Sequence, residues 1–399
     1  MKSEEDEMPH EPAAPWKLQE NVLEEGDLQE LVEFIRTTKR FTQFVKVREF
    51  EEAWSRWQGC GYSVYVNSGS SANLVILSLM KETLGWQGGD EVLVPAVTWV
   101  TNVTPILQCG LRPVFVDVNL EDFSFDYEDL ARRIGPRTRA VFVTHLIGFP
   151  ADVRRIASIV EGRGIEILED CCESHGARVG ATRVGNFGTC SSFSFYWGHH
   201  MTTVEGGMVC TGREELHQLA LLKRSHGLAR ELPPGLHDGW ARRHPDVDFN
   251  FLFVTDGFNF RNTEFNAVIG LAQIKKLDRY IEIRNANHRR FLEILAGHRE
   301  HLLLPDHPGI SSFCLPFVFR DERVKRRMEG LLRAHQIEFR PIIGGNLLRQ
   351  PCFAAYGTPS EFPNAEFLHT NAFYIGNNQF VGSSRLERLR PLLARALGA

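Results

Sequence analysis

EVLVPAVTWVTNVTPILQCGLRPVFVDV, residues 91–118, is the stretch that decides the fold. Residues 91–97 form an apolar, valine-rich run that reads as a strand. Residues 98–110 read as a helix ending at Gly110, and 113–118 as a second strand. The same rhythm continues on both sides. Ser63–Val66, AVFVTHL (140–146) and IEILED (165–170) are further strands, with LARRIG (130–135) and VRRIASIVEGRG (153–164) as helices between them. Continuous β-branched runs separated by helices predict a parallel sheet covered on both faces, an α/β fold. In such a sheet the site lies at the carboxyl ends of the strands. That expectation gathers SGSSA (68–72), PAVTW (95–99), THLIGFP (144–150) and EDCCESHG (169–176) around one crevice.

Further along, TCSSFSFYWGHHMTTVEGGMVCT (189–211) reads as two strands with a polar turn region between them. Beyond about residue 276 the pattern changes. A long helical stretch, LDRYIEIRNANHRRFLEILAGH (277–298), leads into a strand at CLPFVFR (314–320) and a helix at VKRRMEGLLRAH (324–335). The expected organisation is a disordered tail over 1–15, a large domain over 16–275 and a smaller α+β domain over 276–399.

Composition narrows the function classes. The 399 residues are 43% hydrophobic and 24% charged, with a formal net charge of −5. These are values of an ordinary packed domain protein. No basic block offers a footprint for nucleic acid. The acidic N-terminus is no signal peptide, and no apolar run reaches the roughly 20 residues that span a bilayer. A cytoplasmic protein with no membrane partner is expected. The eight cysteines contain no CxxC pair. Most are expected to be reduced and buried, including the adjacent Cys171 and Cys172.

Several residues carry chemistry. SGSSA opens a helix, where amides and hydroxyls suit a phosphate, although taken alone a plain serine cap is the commoner description. Glu169, Asp170 and Glu173 end a buried strand, where a carboxylate is costly unless paired or functional. Asp170 would suit a protonated ring nitrogen, and equally would cap a helix on the next turn. Trp99, just past a strand, could stack on a flat ligand or pack in the core. His199 and His200 stand among small, polar and aromatic residues. If extended, they point in opposite directions. A structural role is the commoner fate of such a histidine, and no third ligand at metal spacing accompanies the pair, so no metal is expected.

Taken in order, SGSSA, PAVTW, FVDV, THLIGFPAD, EDCCESHGA, FSFYWGHH, EGG, RSHG and DGFNFRNTEFNAVIGLAQ resemble the DegT/DnrJ/EryC1/StrS family from about residue 16 onward. The resemblance implies a fold-type-I enzyme using pyridoxal or pyridoxamine phosphate on nucleotide-linked sugars. It implies phosphate contacts from Ser70, Ser71 and Ser194, a ring stacked on Trp99, and Asp170 on the ring nitrogen. Glu173 stands where many members carry glutamine near the cofactor's oxygen. Asn259 matches an asparagine that reaches the phosphate in the neighbouring subunit, which implies a homodimer with shared active sites. Arg224, Ser225, His226 and Gly227 match a further family segment without an assigned role.

One position departs from the family. Its aminotransferases carry their cofactor-anchoring lysine five residues after the FSF serine. Here that position, also six before Glu205, is His199, and no lysine lies between Phe193 and Glu205. Histidine cannot hold the cofactor covalently but can still move a proton. The cofactor is therefore expected to bind non-covalently, most usefully as pyridoxamine phosphate. The pattern resembles the sugar 3-dehydratase branch, with a 4-keto-6-deoxy sugar losing its 3-hydroxyl, ammonia released and glutamate restoring the amine. After His199 the cysteines are Cys210, Cys314 and Cys352, and no C-x-C occurs, so no iron–sulfur cluster is expected. An aminotransferase-like enzyme lacking the lysine and a non-catalytic relative are the competing readings. FRPIIGGNLLRQPCF (339–353) also resembles this branch, and offers Arg340 and Arg349 as anion contacts or as surface ion-pair partners.

Overall fold

The βαβ rhythm of residues 91–118 is realised within a seven-stranded sheet of a computed structural model that describes residues 14–398. Residues 1–13, most of the expected tail, lie outside the described residues. The strands are β1 (Tyr62–Val66), β2 (Glu91–Pro95), β3 (Arg112–Val116), β4 (Thr138–Thr144), β5 (Glu166–Asp170), β8 (Cys190–Ser194) and β9 (Gly207–Thr211). Between β5 and β8 a two-stranded hairpin of β6 (Arg178–Val179) and β7 (Thr182–Arg183) stands apart. The sheet order is β1-β9-β8-β5-β4-β2-β3. All neighbours are parallel except β9, which is antiparallel to both β1 and β8. The reversal goes with the link between β8 and β9, which carries no helix to cross the sheet face.

The first helices are α1 (Glu25–Thr37), α2 (Val45–Gln58) and α3 (Gly69–Leu84). The helices α4 (Thr104–Gln108), α5 (Tyr127–Arg133), α6 (Val153–Val160), α7 (Glu214–Arg224), α8 (His237–Arg243) and α9 (Glu264–Ile274) follow in chain order. The stretch expected as one helix over 98–110 divides into a 3-10 turn at Val100–Asn102 and α4, with Pro105 in the first turn of α4. Proline is accepted at a helix start and not in its interior, so the break precedes it. The strands are buried on both faces, as their near-continuous apolar sequence requires: Val92, Leu93 and Val94 are all fully buried.

After α10 (Leu277–Leu295) comes a four-stranded sheet of β10 (Leu302–Leu303), β11 (Cys314–Phe319), β12 (Phe339–Arg340) and β13 (Ala372–Gly376), ordered β10-β11-β13-β12. The helices α11 (Glu322–Ala334), α12 (Pro363–Asn371), α13 (Ser383–Glu387) and α14 (Leu389–Leu397) complete this part. Its own core gathers Phe291, Leu315, Phe317, Phe373 and Leu393. Trp16 belongs to that core too, although sequence order assigns it to the first domain. It is fully buried, bonds the Gly376 carbonyl through Nε1 at 3.0 Å and pairs with Ile337. The described residues therefore start beside the second sheet before the chain enters the first.

Candidate active site

Strand register assembles the crevice. Val66 of β1 and Ser194 of β8 both pair with Gly207, and Thr144 of β4 pairs with Asp170 of β5. The loops after β1, β2, β4, β5 and β8 thus emerge on one edge of the sheet. Gly207 permits this closeness, because a Cβ there would lie 2.2 Å from the Ser68 carbonyl oxygen.

Ser68 caps α3, its hydroxyl accepting from the Ser71 amide at 3.1 Å. The amides of Gly69 and Ser70 have no acceptor among the described residues, which leaves a positive helix end facing outward. The Ser71 hydroxyl donates to Asn67 Oδ1 at 2.6 Å, whereas Ser70 is exposed. Gly69 packs against Ser194, where a Cβ would approach the Ser194 Cβ to 2.6 Å. The serine loop and Ser194 are therefore neighbours.

Asp170 receives two hydrogen bonds, from Asn73 Nδ2 at 2.8 Å and from the Cys172 amide at 2.9 Å. Asn73 also bonds the Thr101 carbonyl at 3.1 Å, which ties α3 and the loop after β2 to this carboxylate. Trp99, on that loop, is 55% exposed, so core packing does not explain it. Glu173 accepts a single bond, from the Ile147 amide at 2.9 Å. Ile147 has a φ of 47°, a left-handed conformation unusual for a β-branched residue, and this turns its amide to Glu173. Burial, with the Asp170 charge adding to it, pushes the Glu173 carboxyl up to about 8.

The segment after β8 is a turn and not an extended strand, so the alternation expected for the histidine pair does not arise from strand geometry. The two rings share neighbours, His175 and Phe313, but take different hydrogen-bond partners. His199 Nδ1 lies 2.5 Å from the Cys172 carbonyl oxygen. A carbonyl only accepts, so Nδ1 carries the proton and the lone pair sits on Nε2, which no described protein group binds. Burial lowers the His199 imidazole to about 4; the Cys172 bond acts against this, and the Arg284 charge acts with it. His200 is fully buried and bonds Ser311 at 3.1 Å, a structural position.

Asn259 is exposed, and its side-chain oxygen accepts from Arg261 at 3.1 Å. The neighbouring Phe260 carbonyl accepts from Asn67 at 3.0 Å, so this segment runs beside the serine loop. Arg349 is held by Glu366, as in the ion-pair reading, and Arg340 is exposed. Arg224 is buried against Glu51 at 2.5 Å. His145, Glu169 and Cys171 lie close enough together to suggest a metal. The histidine and glutamate donors are already engaged: Glu169 accepts from His145 and from the amides of Gly185, Phe187 and Gly188, and His145 Nδ1 accepts from Ala151. A cavity of 1160 Å³ between α2 and residues 230–237 includes none of the crevice residues.

Three contributors were not read from sequence. Asn73 gave a signal, a polar residue within the apolar run ANLVILSL. Ile147 and Arg284 gave none, because a backbone torsion and the burial of one arginine among many on a helix leave no local trace.

Residues 22–388 match the DegT/DnrJ/EryC1/StrS aminotransferase family. The chain is 34% identical over 372 residues to GDP-4-keto-6-deoxy-D-mannose 3-dehydratase of Yersinia pseudotuberculosis, covering 91% of this chain and 94% of that protein. It superposes with a TM-score of 0.88 and 31% identity on the E. coli GDP-4-keto-6-deoxy-D-mannose-3-dehydratase with bound hydrated PLP, covering 95% and 99% of the two chains. A GDP-4-keto-6-deoxymannose-3-dehydratase with a trapped PLP-glutamate geminal diamine superposes with a TM-score of 0.85 at 30% identity, over 95% of this chain and all of that one. With a family match across nearly its whole length, the chain belongs to the DegT/DnrJ/EryC1/StrS aminotransferase family.

Proposed function

We propose that the protein is a pyridoxamine-phosphate-dependent 3-dehydratase of a nucleotide-linked 4-keto-6-deoxy sugar, with His199 as its general base. The carrying observation is His199 itself, its Nδ1 proton tied to the Cys172 carbonyl and its Nε2 free of protein partners, at a position without lysine. The dehydratase relatives at 31–34% identity support the same reading.

The crevice fits such a cofactor. An outward helix end with Ser70 and Ser71, and Ser194 beside it, would hold the phosphate. The exposed Trp99 would stack on the ring, and Asp170 would face the ring nitrogen. When bound, the cofactor supplies an amine to join the sugar ketone and an electron system to stabilise charge as the hydroxyl departs. His199 is uncharged at neutral pH and can accept a proton at Nε2. Glu173 is protonated there and can donate a hydrogen bond, as a glutamine would. The missing lysine removes a covalent anchor, which favours deoxygenation with release of ammonia over amination. Glutamate as the amine donor is supported by the glutamate adduct held by a relative.

A homodimer with shared sites is part of this proposal. Its support is the exposure of Asn259 and of Phe251 and Phe253, which are 64% and 59% exposed on the segment leading to it. Isolated apolar side chains on a surface need no explanation, but two large rings on one loop suit a partner.

The test is incubation with pyridoxamine phosphate, glutamate and nucleotide 4-keto-6-deoxy sugars, GDP-4-keto-6-deoxymannose first. Mass analysis should find loss of one oxygen and release of ammonia. An amino sugar as the main product would establish the aminotransferase reading instead. Failure to bind either cofactor form would establish the non-catalytic one.

A further inference from the structure

Arg284 of α10 is 2% exposed, yet no carboxylate pairs with it among the described residues. Its guanidinium goes entirely to backbone carbonyls. Nη1 donates to Phe313 at 3.0 Å and to Asn377 at 2.5 Å, and Nη2 donates to His199 at 3.2 Å. Nε has no partner. Asn377 returns a bond from Nδ2 to the Arg284 carbonyl at 3.0 Å. One side chain thus joins the His199 turn, the segment before β11 and the turn after β13. A charge buried this deeply is ordinarily accompanied by a counter-charge.

We propose that Arg284 is a positioning residue for His199, clamping its carbonyl to the second domain and holding a fixed, unpaired positive charge beside the imidazole. The proposal rests on the reading of His199 as the base. The clamp fixes the backbone from which the ring reaches the Cys172 carbonyl. The charge opposes protonation of His199, and equally of His175 and His200, whose rings lie 5.3 Å apart, with His175 6.1 Å from His199. A carboxylate beside Arg284 would cancel this effect, which accounts for its absence. The titratable groups on the elements packed about the His199 turn are Asp170 at the end of β5, Cys172, Glu173 and His175 after it, Tyr196 and His200 on its own segment, and Cys314 and Tyr374 on the second sheet. Of these, Cys172, Cys314 and Tyr374 are pushed up by burial and Glu173 to about 8, so they are uncharged at neutral pH. The Asp170 carboxyl is engaged by Asn73 and the Cys172 amide.

The experiment is a histidine-ring NMR titration of the full-length protein without cofactor or substrate, with His199→Asn to assign the resonance. Wild-type His199 should titrate near 4. In Arg284→Gln it should rise by about half a unit or more toward the ordinary value of about 6.5. Arg284→Lys, which keeps the charge, should stay close to wild type. The acid limb of kcat should move with the titration. A folded Arg284→Gln protein with an unmoved His199 overturns the proposal. Should that variant not fold, wild type and Arg284→Lys decide. A wild-type His199 titrating at 6.5 or above, or a Lys variant displaced by about half a unit, overturns it. The titration needs no turnover, so an inactive protein with the lowered His199 would refute the dehydratase reading alone.

Discussion

His199 and Glu173 are displaced in opposite directions although they meet at one peptide, Cys172–Glu173. The imidazole is lowered to about 4 and the carboxyl raised to about 8, both chiefly by burial, which disfavours whichever form is charged. Between those values both are neutral, one able to accept a proton and the other to donate. Turnover should therefore be flat near neutrality and fall as pH drops through about 4, measured as kcat against pH. His199→Asn should reduce turnover by roughly 10²–10⁴-fold while pyridoxamine phosphate still binds, as read by fluorescence titration. His199→Lys should give an adduct with pyridoxal phosphate that borohydride fixes to the protein. Glu173 also carries a stability consequence. Its folded value exceeds its unfolded one, near 4.5, so its contribution is complete below 4.5 and is lost as pH rises through about 8. Glu173→Gln removes that loss. Its stability relative to wild type should rise by on the order of 2–4 kcal/mol between pH 5 and pH 9, and a constant difference in denaturation midpoint would contradict this.

The critical element is α3. Its N-terminus is fixed by the Ser68 cap and by the fit of Gly69 against Ser194 and Cys172. Gly69→Ala would bring a Cβ to 2.6 Å from the Ser194 Cβ. The helix end must then move from β8, and affinity for pyridoxamine phosphate should fall about tenfold or more, equivalent to roughly 1.4 kcal/mol. Gly212→Ala, at a site with open space, should leave the affinity unchanged. This element was readable as a glycine- and serine-rich helix start after a strand. The fit of Gly69 to Ser194 was not, because these residues are 125 positions apart and meet only through the pairing of Val66 and Ser194 with the same Gly207.

At the scale of the molecule, the crevice is built by the first sheet and backed by α10 and the segment leading into β11. The Ser311 and Phe313 amides bond the Gly148 and Ile147 carbonyls at 3.0 and 3.2 Å, and Arg284 bonds His199. The exposed Phe251 and Phe253 belong to the proposed dimer. Replacing both with serine should shift the protein to monomer in sedimentation velocity and reduce turnover in parallel. Unchanged sedimentation of a dimeric wild type and its variant would place the interface elsewhere.

The sequence by itself determined the alternation of strands and helices, the strand ends and turns near which Ser70, Trp99, Asp170 and Ser194 stand, and the substitution of His199 for lysine. These are local patterns, set by side-chain period and residue identity along the chain. Only the tertiary structure decided which nitrogen of His199 is free, that Glu173 is neutral, that Trp16 joins the second core and that Arg284 is buried without a counter-charge. Each depends on burial and on partners brought from distant segments, and no local pattern records either.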